Sequence, residues 1–250
     1  MNAIRSVLHL VLMGVTVVPY ALVLLTVSLM PQKGSQWGYG IAVAWLKLCI
    51  HSGRWMLGIR HRIHGAEHLP IGRSDPAVLL VKHQSTYETF LMPVIMPHPL
   101  AYVFKKELLA IPFFGWAIGR LDMVHIDRSQ RSKAFQKVVE KGRHLLAKGT
   151  WVIMFPEGTR IPRGEVGQYK SGGARLAIEV GVPVIPIAVT SAKCWPRRAL
   201  IKTPGVLDVS IGAPIDTAGQ TPDAITERVQ DWIESEMRRL DPEAYSSQSL

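Results

Sequence analysis

His83 stands five residues before Glu88 in His83-Gln84-Ser85-Thr86-Tyr87-Glu88, and Phe155-Pro156-Glu157-Gly158-Thr159-Arg160 follows farther along the chain. An imidazole beside a carboxylate can take the proton from a hydroxyl. The carboxylate then holds the other ring nitrogen and favours the imidazolium that forms. Arg160 offers a guanidinium fork that grips phosphate oxygens two at a time, and Gly158 lets a backbone approach closely. Glu157 would orient a basic side chain or an acceptor hydroxyl, with Thr159 in the same turn. Lys105, Lys106 and Arg128, each near the end of an apolar run, are further cations able to neutralise a phosphate. Together these residue types point to acyl transfer onto a phosphate-bearing alcohol.

Plainer roles compete for the same residues. Ser85-Thr86-Tyr87-Glu88 also fits a capping box, in which Glu88 satisfies a backbone donor at a helix start. A cap would hold that helix start beside His83, so the two roles are compatible. The segment 155–160 could be a solvated strand-to-loop turn, and each lysine could be solvated surface charge. A hydrolase would need a different nucleophile, and its usual G-x-S-x-G elbow is absent. His61, His64 and His68 suit no single helix face, no acidic or thiolate ligand set accompanies them, and Arg60 and Arg62 would oppose a cation, which argues against a metal. Cys49 and Cys194 form no CxxC pair, so neither a zinc site nor a disulfide framework is expected.

Short apolar runs alternate with amphipathic stretches beyond residue 57. Ala77 to Val81, Ala101 to Phe104, Met123 to Ile126, Trp151 to Phe155, Val184 to Val189 and Val206 to Ile211 read as strands. Ser132 to Lys148 reads as a helix closed by Gly149, and Thr221-Pro222 caps a last helix running to about Leu240. Such alternation predicts an α/β domain with a mostly parallel sheet flanked by helices. His83 then stands at the carboxyl end of a strand, where open α/β sheets place their ligands. The run Ile111 to Trp116 suits an acyl tunnel or core packing equally.

Leu10 to Met30 carries no charge and is long enough as a helix for a hydrocarbon core about 30 Å thick. A signal peptide is disfavoured by the length of the run and by the missing cleavage site. Pro19 favours a kink, and a second apolar stretch from Tyr39 to Ile59 carries Lys47, Arg54, Trp45 and Trp55 as headgroup anchors. The segment is either a span followed by an interfacial helix or a hairpin dipping into one leaflet. The formal net charge of +10 calls for an acidic partner. An anionic bilayer is favoured, and no nucleic-acid motif is present. The expected organisation is an N-terminal helical membrane motif over residues 1–57, separable from an α/β domain over 58–240, and a loose tail over 241–250.

Four blocks in order, HQSTYE at 83, FKKELLAIPFFGW at 104 with IDR at 126, FPEGTR at 155 and VPVIPIAV at 182, resemble those of the glycerolipid acyltransferases, in particular the bacterial 1-acyl-sn-glycerol-3-phosphate branch. The resemblance covers roughly residues 75–190. It implies catalytic roles for His83 and Glu88 as an H-x4-acid motif, with glutamate where aspartate is commoner. It also makes FPEGTR a substrate-binding block, carried here by Glu157, Gly158, Thr159 and Arg160. The implied reaction moves a fatty acyl group from acyl-CoA or acyl carrier protein, as substrate and with no cofactor, to the sn-2 hydroxyl of 1-acylglycerol 3-phosphate. The implied place is the cytoplasmic face of an inner membrane. Glycerol 3-phosphate or another lysophospholipid is the alternative acceptor, and a peripheral anionic-lipid-binding protein is the alternative without catalysis.

Overall fold

The structure is a computed structural model that describes residues 1–30, 34–70, 75–127 and 131–246, without the side chains of 131–134. Its strands are β1 (Ile59–His64), β2 (Val78–Val81), β3 (Leu100–Lys105), β4 (Val124–Ile126), β5 (Trp151–Met154), β6 (Val184–Val189) and β7 (Gly205–Ile211). They form one sheet in the order β1-β7-β6-β2-β5-β3-β4. Every pairing is parallel except β6 with β7. The central strands are apolar on both faces because helices cover both. On one face Leu79, Val81, Ile153 and Ile187 form a core with Leu91 and Met92 of α3 (Tyr87–Ile95). On the other, Val78, Leu80, Val152 and Val184 meet α5 (Arg131–Ala147), α6 (Gly172–Val180) and α7 (Pro222–Leu240).

The strands expected from the sequence are present, as are the two amphipathic helices. Thr221 caps α7 by accepting from the Ala224 N–H at 3.3 Å. Strand β1 was not foreseen, because Arg60, His61, Arg62 and His64 hide its period. Asp208 on β7 explains them, accepting from Arg62 Nε and pairing with His64 Nε2, both at 2.9 Å. His61 and His68 face Tyr87 Oη and the Ile211 carbonyl instead.

The N-terminal segment differs most from expectation. Helix α1 (Asn2–Val27) is unbroken through Pro19, and α2 (Gly34–Ser52) packs back along it. Trp45 is not a headgroup anchor: it is 7% exposed and donates to Thr16 Oγ1 at 3.1 Å. Trp45, Cys49, Ile50 and Leu57 belong to the same core as Ile59, Leu79 and Ile153, so no boundary in packing falls at residue 57. Ala21 and Leu24 of α1 meet Ala117 of α4 (Phe114–Ile118) and Leu121. The start of the expected loose tail is anchored, since Arg163 grips Asp241 through two bonds and α8 (Pro242–Tyr245) buries Tyr245, while residues 247–250 lie outside the described residues. The outward side of α1 remains apolar and exposed at Ile4, Leu8, Val11, Val15 and Val23. Trp55 is 84% exposed.

Candidate active site

Parallel pairing of β2 with β5, Leu80 opposite Met154, brings the segments after both strands to one edge of the sheet. The His83 ring stacks on Phe155 with centroids 3.9 Å apart. Backbone bonds seal the junction, with the Ile161 N–H donating to the His83 carbonyl at 2.8 Å. Strand β3 lies beside β5 and carries Lys105 to the same edge.

Glu88 lies in the first turn of α3 and its side chain is fully buried. One carboxylate oxygen, Oε1, is 2.9 Å from His83 Nδ1 and also accepts the N–H groups of Gln84 and Ser85 at 2.8 and 2.7 Å. Ser85 Oγ accepts the Tyr87 N–H at 2.9 Å. The helix cap and the histidine partner are therefore one group, and the longer glutamate reaches the ring directly. An ionised carboxylate accepts only, which assigns the proton to Nδ1 and leaves the Nε2 lone pair as the base.

Beneath His83 lies a buried ionic cluster. Lys82 is fully buried, with Nζ 2.8 Å from Glu157 Oε1 and 2.6 Å from Glu234 Oε1 of α7. Tyr169 Oη donates to Glu234 at 2.9 Å, and the His83 N–H donates to Glu157 Oε2 at 2.7 Å. Burial pushes the Glu157 carboxyl up to about 7, against the pull of Lys82 and the His83 N–H. Repulsion from Glu234, which shares the same ammonium, adds a smaller push in the same direction. Glu157 thus orients a basic side chain, as one of its two expected roles required, and its carboxylate faces inward rather than toward a substrate.

His83 opens onto a cavity of about 1080 Å³. Its apolar lining includes Tyr20, Leu24 and Trp45 of the N-terminal helices with Phe90, Phe104 and Phe114. Lys105, Gly158, Thr159, Arg160, Lys170, Arg197 and Arg198 line the same cavity. Gly158 adopts φ +67, a conformation that asks for glycine, with the flexible end of Lys170 3.0 Å from where a Cβ would stand. Arg160 Nε donates to the Ser85 carbonyl at 2.8 Å.

The arrangement is a general base facing a pocket lined by both apolar and cationic side chains, a composition suited to an amphipathic phosphate ester. The acyltransferase family model matches residues 60–190. The chain belongs to this family of acyltransferases. It is 41% identical over 201 residues to the 1-acyl-sn-glycerol-3-phosphate acyltransferase of Pseudomonas aeruginosa, a match covering 79% of this chain and 77% of that protein. It is 32% identical over 191 residues to the human 1-acyl-sn-glycerol-3-phosphate acyltransferase alpha, covering 74% and 66%. The crystal structure of the 1-acyl-sn-glycerophosphate acyltransferase from Thermotoga maritima superposes with a TM-score of 0.77 at 23% identity, covering 96% of this chain and 97% of that one.

Within this acyltransferase the expected site residues divide. His83, Lys105, Gly158, Thr159 and Arg160 face one cavity, with Glu88 behind the histidine. Lys106 turns away from it, exposed and paired with Asp127 at 2.5 Å, as solvated surface charge would be. Arg128 lies outside the described residues. Phe114 lines the cavity, whereas Ile111 and Trp116 are exposed. Lys82, Glu234, Lys170, Arg197 and Arg198 were not foreseen. Arg197-Arg198 follows β6, whose carboxyl end shares the edge of His83, and that position was the available signal. Lys82 had none, because nothing local distinguishes a buried lysine from a solvated one. Among the described residues no group of His, Cys, Asp or Glu is arranged to hold a metal ion.

Proposed function

We propose that the protein transfers a fatty acyl group from a thioester to the sn-2 hydroxyl of 1-acyl-sn-glycerol 3-phosphate, giving phosphatidic acid. The contact between His83 Nδ1 and buried Glu88 carries the reading, because it leaves Nε2 facing the cavity as a base. The hydroxyl oxygen attacks the thioester carbonyl as its proton passes to Nε2, the C–S bond breaks, and the proton returns to the departing sulfur. No acyl-enzyme forms. Arg160 and Lys105 hold the acceptor phosphate, Gly158 and Thr159 shape its approach, and the apolar lining takes an acyl chain. The donor is acyl-CoA or acyl carrier protein, a substrate in either case, and no cofactor enters.

The acceptor is resident in a bilayer. Support comes from α1, which is long and apolar enough to cross a membrane and keeps an exposed apolar side. The charge of +10 favours an anionic surface, where each Lys or Arg near the headgroups contributes about 1 kcal/mol. The domain stands on the cytoplasmic side of an inner membrane, where acyl-CoA and acyl carrier protein are found, and nucleic acid has no part.

Purified protein incubated with a panel of acyl donors and lysolipid acceptors, with products identified by mass spectrometry, tests the reading. Phosphatidic acid is the expected product. Free fatty acid as the main product would make the protein a hydrolase, and lipid binding without product from any donor would make it a non-catalytic lipid-binding protein.

A further inference from the structure

Arg197 belongs to none of the four sequence blocks, and it lies in the turn that follows β6. Its Nη1 donates to the carbonyl of Arg160 at 2.5 Å, while Arg160 Nε donates to the carbonyl of Ser85 at 2.8 Å. Among the described residues each guanidinium is pinned by one backbone oxygen, which leaves its other N–H groups to serve a ligand. Both side chains line the cavity that His83 faces. Among the described residues no carboxylate lies within ion-pair distance of either arginine. Two guanidiniums that line one cavity without a carboxylate partner favour a bound anion there.

The backbone carries a matching signal. The Ala199 N–H closes a turn on the Pro196 carbonyl at 3.2 Å, and Arg198 occupies its third position with φ +58. That position favours Gly or Asn, and an arginine there is strained. The Thr203 N–H on the Cys194 carbonyl and the Lys202 N–H on Ser6 Oγ hold the loop's base. A strained turn that presents two arginines to the catalytic cavity is more than a connection between strands.

We infer that Arg197 is the second arm of a two-guanidinium clamp, with Arg160 as the first, and that this clamp selects a phosphate monoester over a phosphodiester in the acceptor. The inference rests on the acceptor reading above and deepens it. A monoester carries about −1.5 to −2 charges near pH 7, with three terminal oxygens to share between two forks. A diester carries a single charge and has only two unesterified oxygens. The clamp therefore discriminates by charge and by oxygen count.

The test pairs two acceptors with the same acyl chain, 1-acylglycerol 3-phosphate and 1-acylglycerophosphoglycerol, with one acyl-CoA donor held saturating. Arg197→Gln is expected to lower kcat/KM for the monoester about 10- to 100-fold, the loss of one charge-assisted contact, and to change the diester less than about threefold. KM for the donor is expected to stay as in wild type. Arg197→Lys keeps the charge without the fork and is expected to fall between, and it carries the test if the glutamine variant does not fold. An equal loss on both acceptors, no loss on either, or a change confined to donor KM would overturn the inference. Wild-type protein that acylates neither acceptor from any thioester would instead sink the acceptor reading, and the clamp with it.

Discussion

At the residue scale, the two roles open to Glu88 have merged into one. A single oxygen accepts from His83 Nδ1 and from two backbone amides, so the cap that starts α3 also sets the tautomer of the base. His83→Ala is expected to lower turnover by about 10² to 10⁴ with the fold intact, the usual contribution of a placed general base. Near-normal turnover in a folded variant would remove His83 from the mechanism. Glu88→Gln keeps an oxygen for the amides and should cost less. Glu88→Ala should lose activity and, in addition, about 1 kcal/mol of stability through the cap, readable as a lower denaturation midpoint. Arg160→Ala is expected to weaken use of the phosphate-bearing acceptor by roughly 1.5 to 3 kcal/mol, measured as kcat/KM. An equal effect with an acceptor lacking phosphate would assign Arg160 to the donor or to structure.

At the element scale, α7 reaches the catalytic edge through Glu234, Lys82 and Glu157. This cluster ties a helix near the end of the chain to the N–H of His83. Lys82→Met would leave two buried carboxylates without their cation and should cost about 3 to 5 kcal/mol in denaturant unfolding. Glu157 adds a pH dependence of definite sign. Its folded value of about 7 lies above the ordinary 4.5, so its contribution to stability is complete below about 4.5 and is lost as pH rises through about 7. Glu157→Gln should remove that slope, seen by comparing urea midpoints of variant and wild type at about pH 5 and about pH 7.5. Parallel slopes in the two proteins would show that Glu157 does not titrate there.

For the whole molecule, the N-terminal helices are at once a surface suited to lipid and a wall of the cavity. Trp45, Cys49 and Ile50 are buried in the core that holds β2 and β5, while Ile4, Leu8 and Val15 on α1 face outward. Read from the sequence, residues 1–57 are a separable anchor. The packing predicts instead that their removal strips the core and opens the cavity. The shortened chain is expected to lose cooperative unfolding and to lose activity on soluble short-chain acceptors as well as on vesicle-embedded ones. A cooperative melt close to wild type, with soluble-substrate activity retained, would restore the separable anchor. Trp45→Ala alone should cost about 3 to 5 kcal/mol, as other large core truncations do.

The alternation of short apolar runs with amphipathic stretches was enough to place the sheet and its covering helices, because strands buried on both faces and capped helices announce themselves through local composition. The catalytic pair was legible for the same reason: His83 and Glu88 are near in sequence, and a helix start brings them together over one turn. What lies between distant segments was not legible. Strand β1 looks like a basic loop until Asp208 on its neighbour is placed against it. Glu157 looks like a substrate ligand until Lys82 and Glu234 enclose it, and Trp45 looks like a headgroup anchor until α2 folds onto the core. Lys106 reads as a candidate phosphate ligand and Arg197 draws no notice, yet Lys106 meets Asp127 while Arg197 bonds the Arg160 carbonyl. Local patterning sets periodicity and caps, whereas the partner of a charge and the side of a helix that is covered depend on contacts between residues far apart in the chain, which exist only once the sheet has assembled.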